Sequence, residues 1–328
     1  MNKSVKGLVS IVVASYNYDD LLKQRIEGLL QQSYENFEII VIDDASIDNS
    51  KIVLREFVHN KRIRIIENQV NSGWVAVSNQ GIAESKGEYI MFANCDDLAD
   101  KDLIKSLVAP LVHQGSVGMT FCRSSMINDI GVRTNSDFSY RNRSFKQFCN
   151  QDAYIPKQVL EKFLIHSCVV PNLSGALLRR DVLELVGGFS YDYRICSDWD
   201  LFFKISKFAD ASYVSAELNS FRQHQRTIRK SSNATQMLTE ICELLDKQAE
   251  KFSHLSLRLL TYKRIGELIL IEILDPRKFN LKDFNYYIRL LQRLNRNIVR
   301  LLPVAFVGVG IFGITEILCR SFRTRRNS

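Results

Sequence analysis

The chain is poor in the features that mark several common protein classes. Its seven cysteines are scattered, odd in number and without a Cys-x-x-Cys pair, which argues against both a disulfide framework and a zinc site. Only five prolines occur, with no low-complexity stretch and no internal repeat, so collagen-like, solenoid and disordered classes are set aside. No Gly-x-Gly-x-x-Gly follows the first strand-like run, and no Gly-x4-Gly-Lys-Ser/Thr occurs anywhere; dinucleotide and P-loop phosphate cradles are therefore not expected. The start, Met1 to Gly7, has no apolar signal core, which leads to the expectation of a cytoplasmic catalytic part. No apolar run reaches the roughly 20 residues of a membrane span. Positive charge is also missing from most of the chain. From Asp283 to Ser328 eight Arg face only Asp283 and Glu316, so this tail carries +6 of the formal +8, and the near-neutral remainder excludes a body-wide nucleic-acid surface.

What is present is a chain of 328 residues, 46% hydrophobic, long enough for one large α/β domain and an extension. Leu8 to Ala14 is a β-branched run suited to a strand buried on both faces, and Asp19-Asp20 then cap a segment with Leu22, Ile26, Leu29 and Leu30 at helical spacing. Strands follow at Phe37 to Asp43, Arg62 to Glu67 and Glu88 to Asn94, with helices between them near 48–58 and 75–85. This alternation predicts a doubly wound, mostly parallel sheet. A helix near 101–113 and a strand near 117–123 come next. Residues 124–165 are polar and irregular, which predicts a variable excursion facing substrate. Patterning resumes from Asn172, with a helix from Asp181, a stop at Gly187-Gly188-Phe189, a helix from about Ser197 and a strand ending near His224. From about 233 onward the pattern is helical, with a break at Asp275-Pro276. The expected division is 1–230 as one large domain, split near 123/124 into two halves, and 231–328 as a helical extension.

Asp96 and Asp97 close the strand that runs to Asn94, where an open parallel sheet presents side chains to a ligand beyond its carboxyl edge. Adjacent carboxylates repel, so the pair reads as a hard-cation site of the kind that carries substrate phosphates; in isolation it would equally suit a turn and helix cap. The ordered set Val9-Ser-Ile-Val-Val-Ala-Ser-Tyr-Asn17, Val41-Ile-Asp-Asp-Ala-Ser46, Asn71-Ser-Gly73, Gly87-Glu-Tyr-Ile90, Asn94-Cys-Asp-Asp97, Gly187-Gly-Phe189 and Ser197-Asp-Trp-Asp200 is more specific than any one member. From about residue 8 to about 224 the chain resembles an inverting family 2 glycosyltransferase of the GT-A fold.

The resemblance implies an α/β, GT-A type doubly wound fold with a helical C-terminal extension, and a nucleoside diphosphate-sugar donor. It assigns Ala14, Ser15, Tyr16, Asp44, Gly73 and Asp96 to donor binding, with Asp43 a structural acid of the turn. Asp96 and Asp97, with His224, would hold Mn2+ or Mg2+, and Asp198 would be the general base toward an acceptor hydroxyl. Trp199 would line the acceptor pocket or belong to the core, and Arg222 would meet phosphate from the closing segment. Asn94 stands where the family commonly has an acid, Ser197 where many members have Glu, and Ser78 where relatives often have Arg. Two other readings remain, a nucleotidyltransferase acting on a sugar phosphate and a non-catalytic glycan-binding scaffold. In the tail, Arg289, Arg293, Arg296 and Arg300 recur at helical spacing beside Ile288, Leu291, Leu294 and Ile298, ahead of the uncharged Leu301 to Thr315 and the basic Arg320, Arg323, Arg325 and Arg326. Residues 283–328 are thus expected to hold the protein peripherally on the inner, anionic face of a membrane, near a glycan or lipid-linked acceptor; a core or dimer-interface helix with a solvated Arg stripe is the other reading.

Overall fold

The computed structural model describes residues 4–137, 145–148, 150–170, 172–224, 234–274 and 281–306. The chain divides into two compact units, Met1–Thr227 and Ile228–Ser328.

The first unit runs β1 (Val5–Ser15), α1 (Asp19–Leu30), β2 (Phe37–Asp43), α2 (Ser50–Arg55), β3 (Ile63–Glu67), α3 (Trp74–Glu84), β4 (Gly87–Phe92), β5 (Leu98–Ala99), α4 (Leu103–His113), β6 (Val117–Ile127), β7 (Arg133–Ser136), β8 (Ala153–Ile155), α5 (Lys157–His166), β9 (Ala176–Arg179), α6 (Arg180–Val186), α7 (Ser197–Ile205) and β10 (Asp210–Arg222). The strands form one sheet in the order β3-β2-β1-β4-β9-β6-β10-β5, with β7 on β6 and β8 on β10. β3, β2, β1 and β4 are mutually parallel, as are β6 and β10, whereas β9 runs antiparallel to both β4 and β6. The carboxyl ends of β1, β2 and β4 therefore lie side by side, the place where an open sheet binds ligand.

The apolar runs are continuous because helices cover the parallel block. Val9, Ile11 and Val13 of β1, Ile39 and Val41 of β2, and Tyr89 and Met91 of β4 pack with Leu22, Ile26 and Leu29 of α1 and Leu103, Leu107 and Leu111 of α4. Arg25, on the same stripe of α1, is only 1% exposed. Polar residues 124–165 are more regular than their composition predicts. β6 continues to Ile127, β7 returns against it, and α5 buries Leu160, Phe163 and Leu164. Tertiary pairing gave these polar stretches their form, overriding local pattern.

In the second unit, α8 (Ala234–Lys251) and α9 (Leu255–Leu274) pack on one another, separated by a break at 252–254 that the continuous helical pattern did not foretell. α10 (Leu281–Arg293) follows, and after Leu294-Asn295 residues 296–306 are again helical. The row of Arg289, Arg293, Arg296 and Arg300 is exposed as expected but is split between two helical segments, not carried on one. Leu291, Leu294 and Ile298 are buried, and Arg293 pairs with Glu243 at 2.7 Å. Those apolar residues thus belong to the unit's own core. The break expected at Asp275-Pro276, Gly308 to Thr315 and the final arginines lie outside the described residues. Among the described residues no helix is long and apolar enough to cross a membrane.

The seating of α3 on β1 depends on Gly81, where an added Cβ would stand 2.3 Å from Val12 Cγ1. Gly81→Ala is expected to cost about 1–3 kcal/mol, read as a lowered thermal midpoint; an unchanged midpoint would show that this close approach is not required.

Candidate active site

The site is assembled from loops at the carboxyl edge of the parallel strands. β1 ends in Ala14, Ser15 and Tyr16; Ser15 is buried, while Tyr16 is 43% exposed and offers its ring to solvent. The chain then turns through Asn17 at φ 58°, and the loop after β2 turns through Ala45 at φ 62°, both left-handed conformations uncommon for residues with a side chain. Such strain persists only where neighbours over-determine it. Here Ser46 Oγ accepts from Asn17 N and donates to Asp43, and Asn17 Oδ1 accepts from Ile47 N. Asp43, fully buried, is the acid of this turn.

Asp44 faces its own chain. Its carboxylate accepts from Asn68 Nδ2 at 2.9 Å, Ser72 N at 2.9 Å, Ser72 Oγ at 2.8 Å and Gly73 N at 2.8 Å, and the residue is 3% exposed. Burial would raise its pKa, but the bonds from Asn68, Ser72 and Gly73 outweigh burial and hold it below the ordinary aspartate value. Asp44, expected in donor binding, here fixes the 68–73 loop. Gly73, at φ 86°, lets that loop turn into α3.

The acid pair separates into two roles. Asp97 is fully buried: Oδ2 accepts from Asn172 Nδ2 at 2.8 Å, Ser174 Oγ at 2.6 Å and Asn94 Nδ2 at 3.3 Å, and Oδ1 from Arg222 N at 3.0 Å. Burial and the charge of Asp96 push its pKa up to about 6, against the opposing pull of Arg25, Ser174 and Asn172. Asp97, expected at the metal, here turns its lone pairs to protein donors. Asp96 stands above it, with Oδ2 2.8 Å from His224 Nε2. Their side chains are 13% and 7% exposed, and the His224 ring meets Tyr18 edge-on at 6.0 Å. Among the described residues no three His, Cys, Asp or Glu side chains gather to hold a metal. One carboxylate and one imidazole still suit a hard cation that takes its remaining ligands from a diphosphate. Cys95 faces the core, its Sγ 3.0 Å from Ala14 O, and burial pushes its thiol up to about 12.

Arg222 does not meet solvent. Nε donates to Asp96 O at 2.7 Å and Nη1 to Asp129 O at 2.6 Å and Asn128 O at 3.2 Å, so the guanidinium expected to bind phosphate instead ties the end of β10 to the acid loop. Trp199 is likewise a core residue: 8% exposed, it donates Nε1–H to Leu164 O and stacks on Phe203. This is the core reading of the two that the sequence left open for Trp199. Asp198 lies beside it in the first turn of α7, half-buried, with Oδ1 accepting from Trp199 N at 2.8 Å. The segment leading to it is held firmly. Asn79 exchanges two 2.9 Å hydrogen bonds with the Phe189 backbone, Trp74 Nε1 donates to Arg194 O, and Ser197 Oγ donates to Ser190 O. Asp198 and the Asp44-bound loop are therefore fastened to the same helix, α3.

Sequence reasoning did not single out Asn172, Ser174, Asn68, Trp74 or Arg25 as parts of this assembly. Asn172 caps the 3-10 turn Leu173–Gly175, and Ser174 also accepts from Asn94 N. The available signal was an Asn-x-Ser-Gly set next to an apolar strand, together with an Arg on the apolar stripe of α1.

Comparisons with known proteins bear on the family and the fold. The family described as "Glycosyl transferase family 2" matches residues 10–184. Glycosyltransferase GlyG of Streptococcus pneumoniae is 37% identical over 101 residues, 30% of this chain and 34% of that protein, so the match spans about a third of that relative's length. The Escherichia coli protein named UDP-Glc:alpha-D-GlcNAc-diphosphoundecaprenol beta-1,3-glucosyltransferase WfgD is 24% identical over 266 residues, 79% of this chain and 93% of that one. Among solved structures, Staphylococcus aureus TarS 1–349 in complex with UDP-GlcNAc superposes with a TM-score of 0.68 at 16% identity, covering 91% of this chain and 86% of TarS. Mannosyltransferase PcManGT of Pyrobaculum calidifontis, in complex with GDP-Man and Mn2+, gives 0.57 at 14% identity over 93% and 87% of the two chains. At these identities the structures speak to the fold.

Because the Asp44 pKa is lowered on folding, its stabilising contribution is complete above the unfolded value and lost as pH falls through the folded one. Asp44→Asn is expected to lower the thermal midpoint at pH 7 and to flatten the decline below about pH 4. Parallel acid limbs for the two proteins would contradict this.

Proposed function

This chain belongs to glycosyl transferase family 2, with the GT-A fold, and from that premise we propose that it is an inverting transferase moving a sugar from a nucleoside diphosphate to a hydroxyl. The observation that carries the reading is the common fastening of Asp198 and the Asp44-bound loop to α3, together with the Asp96–His224 pair just beyond β4 and β10. The UDP-GlcNAc bound to TarS and the UDP-Glc in the name of WfgD favour a uridine diphosphate sugar as donor. The diphosphoundecaprenol acceptor in the latter name favours a lipid-linked glycan as acceptor.

In this reading Tyr16 covers the base, and the Ala14–Tyr16 backbone with the 68–73 loop frames the ribose. Asp96 and His224 hold Mn2+ or Mg2+, which when bound supplies charge stabilisation to the departing diphosphate. The half-buried Asp198 accepts the proton of the acceptor hydroxyl as its oxygen attacks the anomeric carbon. The bond to the diphosphate breaks on the opposite face, the nucleoside diphosphate leaves with the bonding pair, and configuration inverts. The fixed 189–197 segment keeps the base at its station without a further ordering cost.

The exposed Arg289, Arg293, Arg296 and Arg300 support a peripheral position on an anionic membrane, where lipid-linked acceptors reside. Val299, Val304 and Phe306, each about half exposed, add apolar contact at the same end of the chain.

With a uridine diphosphate sugar and Mn2+, turnover is expected to release nucleoside diphosphate. Pyrophosphate release would instead indicate nucleotidyl transfer, and no release a binding role. Asp198→Asn is expected to lower kcat about 10³-fold while leaving donor binding intact, and Asp96→Ala to weaken Mn2+-dependent donor binding about tenfold or more. A variant of either kind with wild-type kinetics removes that residue from the mechanism. Reversing charge at Arg296 and Arg300 together is expected to reduce sedimentation with anionic vesicles roughly tenfold or more; unchanged sedimentation would contradict the membrane assignment.

A further inference from the structure

Arg25 sits at a place where helix periodicity calls for an apolar side chain. Leu22, Ile26 and Leu29 share its stripe of α1 and are fully buried, and Arg25 is 1% exposed among them. Among the described residues, Nε, Nη1 and Nη2 have no hydrogen-bond partner. A guanidinium does not give up its proton within a protein, so burial here commits the fold to an interior positive charge. Such a charge persists only with a counter-charge close by.

α1 packs along the acid loop, with Cys95 in the same buried cluster as Leu22, Ile26 and Leu29, and the negative groups acting on Arg25 are Asp97 first, then Cys95 and Asp96. Cys95 is a thiol buried in apolar surroundings, which keep it neutral. That leaves the two carboxylates of the acid loop. The other buried guanidinium nearby, Arg222, is already bound to the carbonyls of Asp96, Asn128 and Asp129. Asp97, fully buried, has four neutral donors and no salt-bridge partner within contact distance among the described residues. Arg25 and Asp97 are therefore opposite interior charges, and among the described residues neither has an ion-pair partner within contact distance.

We propose that Arg25 is a positioning residue, whose guanidinium is the interior counter-charge of Asp97 and thereby holds Asp96 and His224 in place for the donor. The route is short. Asp97 receives Arg222 N at the end of β10, two residues before His224, and its Ser174 partner also takes Asn94 N at the head of the acid loop. Loss of the Arg25 charge leaves a buried carboxylate uncompensated at the junction of those segments. The donor part of this inference rests on the proposed function; the charge pairing does not.

The test is a double-mutant cycle on the full chain at pH 7, using Arg25→Met, Asp97→Asn and their combination, with Arg25→Lys as the charge-preserving control. Arg25→Met is expected to lower the thermal midpoint by more than about 6 °C, and the double variant to regain at least half of that loss. With a donor sugar that is turned over, Arg25→Met is expected to raise donor KM about tenfold with kcat within about threefold, and Arg25→Lys to restore most of the KM. Losses that add in the double variant, wild-type KM in Arg25→Met, or a lysine variant no better than methionine would overturn the proposal. If Arg25→Met cannot be recovered folded, recovery of the double variant supports the pairing and its failure overturns it. Should the wild type transfer no sugar at all, the functional reading falls while the stability cycle still decides the pairing.

Discussion

A carboxylate removed from water must be surrounded by donors, and Asp97 meets that demand by drawing three distant stretches of chain to one point. Asn94, Asn172 with Ser174, and the backbone of Arg222 come from the end of β4, the turn before β9 and the end of β10. Their effect is to leave Asp96 above the hub, within hydrogen-bond distance of His224. An interior acid thus sets the geometry of a rim acid, and the arrangement is costly to disturb because any missing partner leaves a buried charge short of a donor.

Asp44 repeats the logic at the end of β2. By taking both backbone and side-chain bonds from Ser72 and the amide of Gly73, it closes the loop that opens α3. α3 then carries Trp74 and Asn79, which hold the 189–197 segment and so the station of Asp198. The strained turns at Asn17 and Ala45 sit between these anchors, kept in shape by Ser46 and Asp43. Rigid support beneath a rim with an exposed aromatic, a carboxylate and an imidazole is what a displacement with little covalent participation by protein requires.

Much of this fold was legible in the sequence because its parallel strands are continuous apolar runs and its helices carry apolar stripes, signals that survive without tertiary context. The 124–165 region was not, since β7, β8 and α5 depend on pairing and burial against β6 and β10 more than on local pattern. Motif order picked out the acid pair and Asp198 as candidates, but periodicity could not say which of two adjacent aspartates turns inward. That depends on Asn172 and Ser174, about 75 positions away in sequence. Arg222 departs from its reading for a related reason: residue type suggests phosphate, whereas burial and hydrogen bonds assign it to carbonyls; Trp199 takes the core reading of its two. In the tail, the arginine spacing was correct as exposure, and the turn at Leu294-Asn295 that divides it is marked only by Asn295, whose Oδ1 accepts from Asn297 N at the start of the next helical segment.

The division of labour between the two adjacent aspartates is open to direct view. A crystal structure of the full chain with Mn2+ and a nucleoside diphosphate, with the metal located by its anomalous signal, should place the ion on Asp96 and His224 while Asp97 keeps its bonds to Asn172, Ser174 and Arg222. An ion coordinated by Asp97, with those bonds broken, would contradict the account at its base.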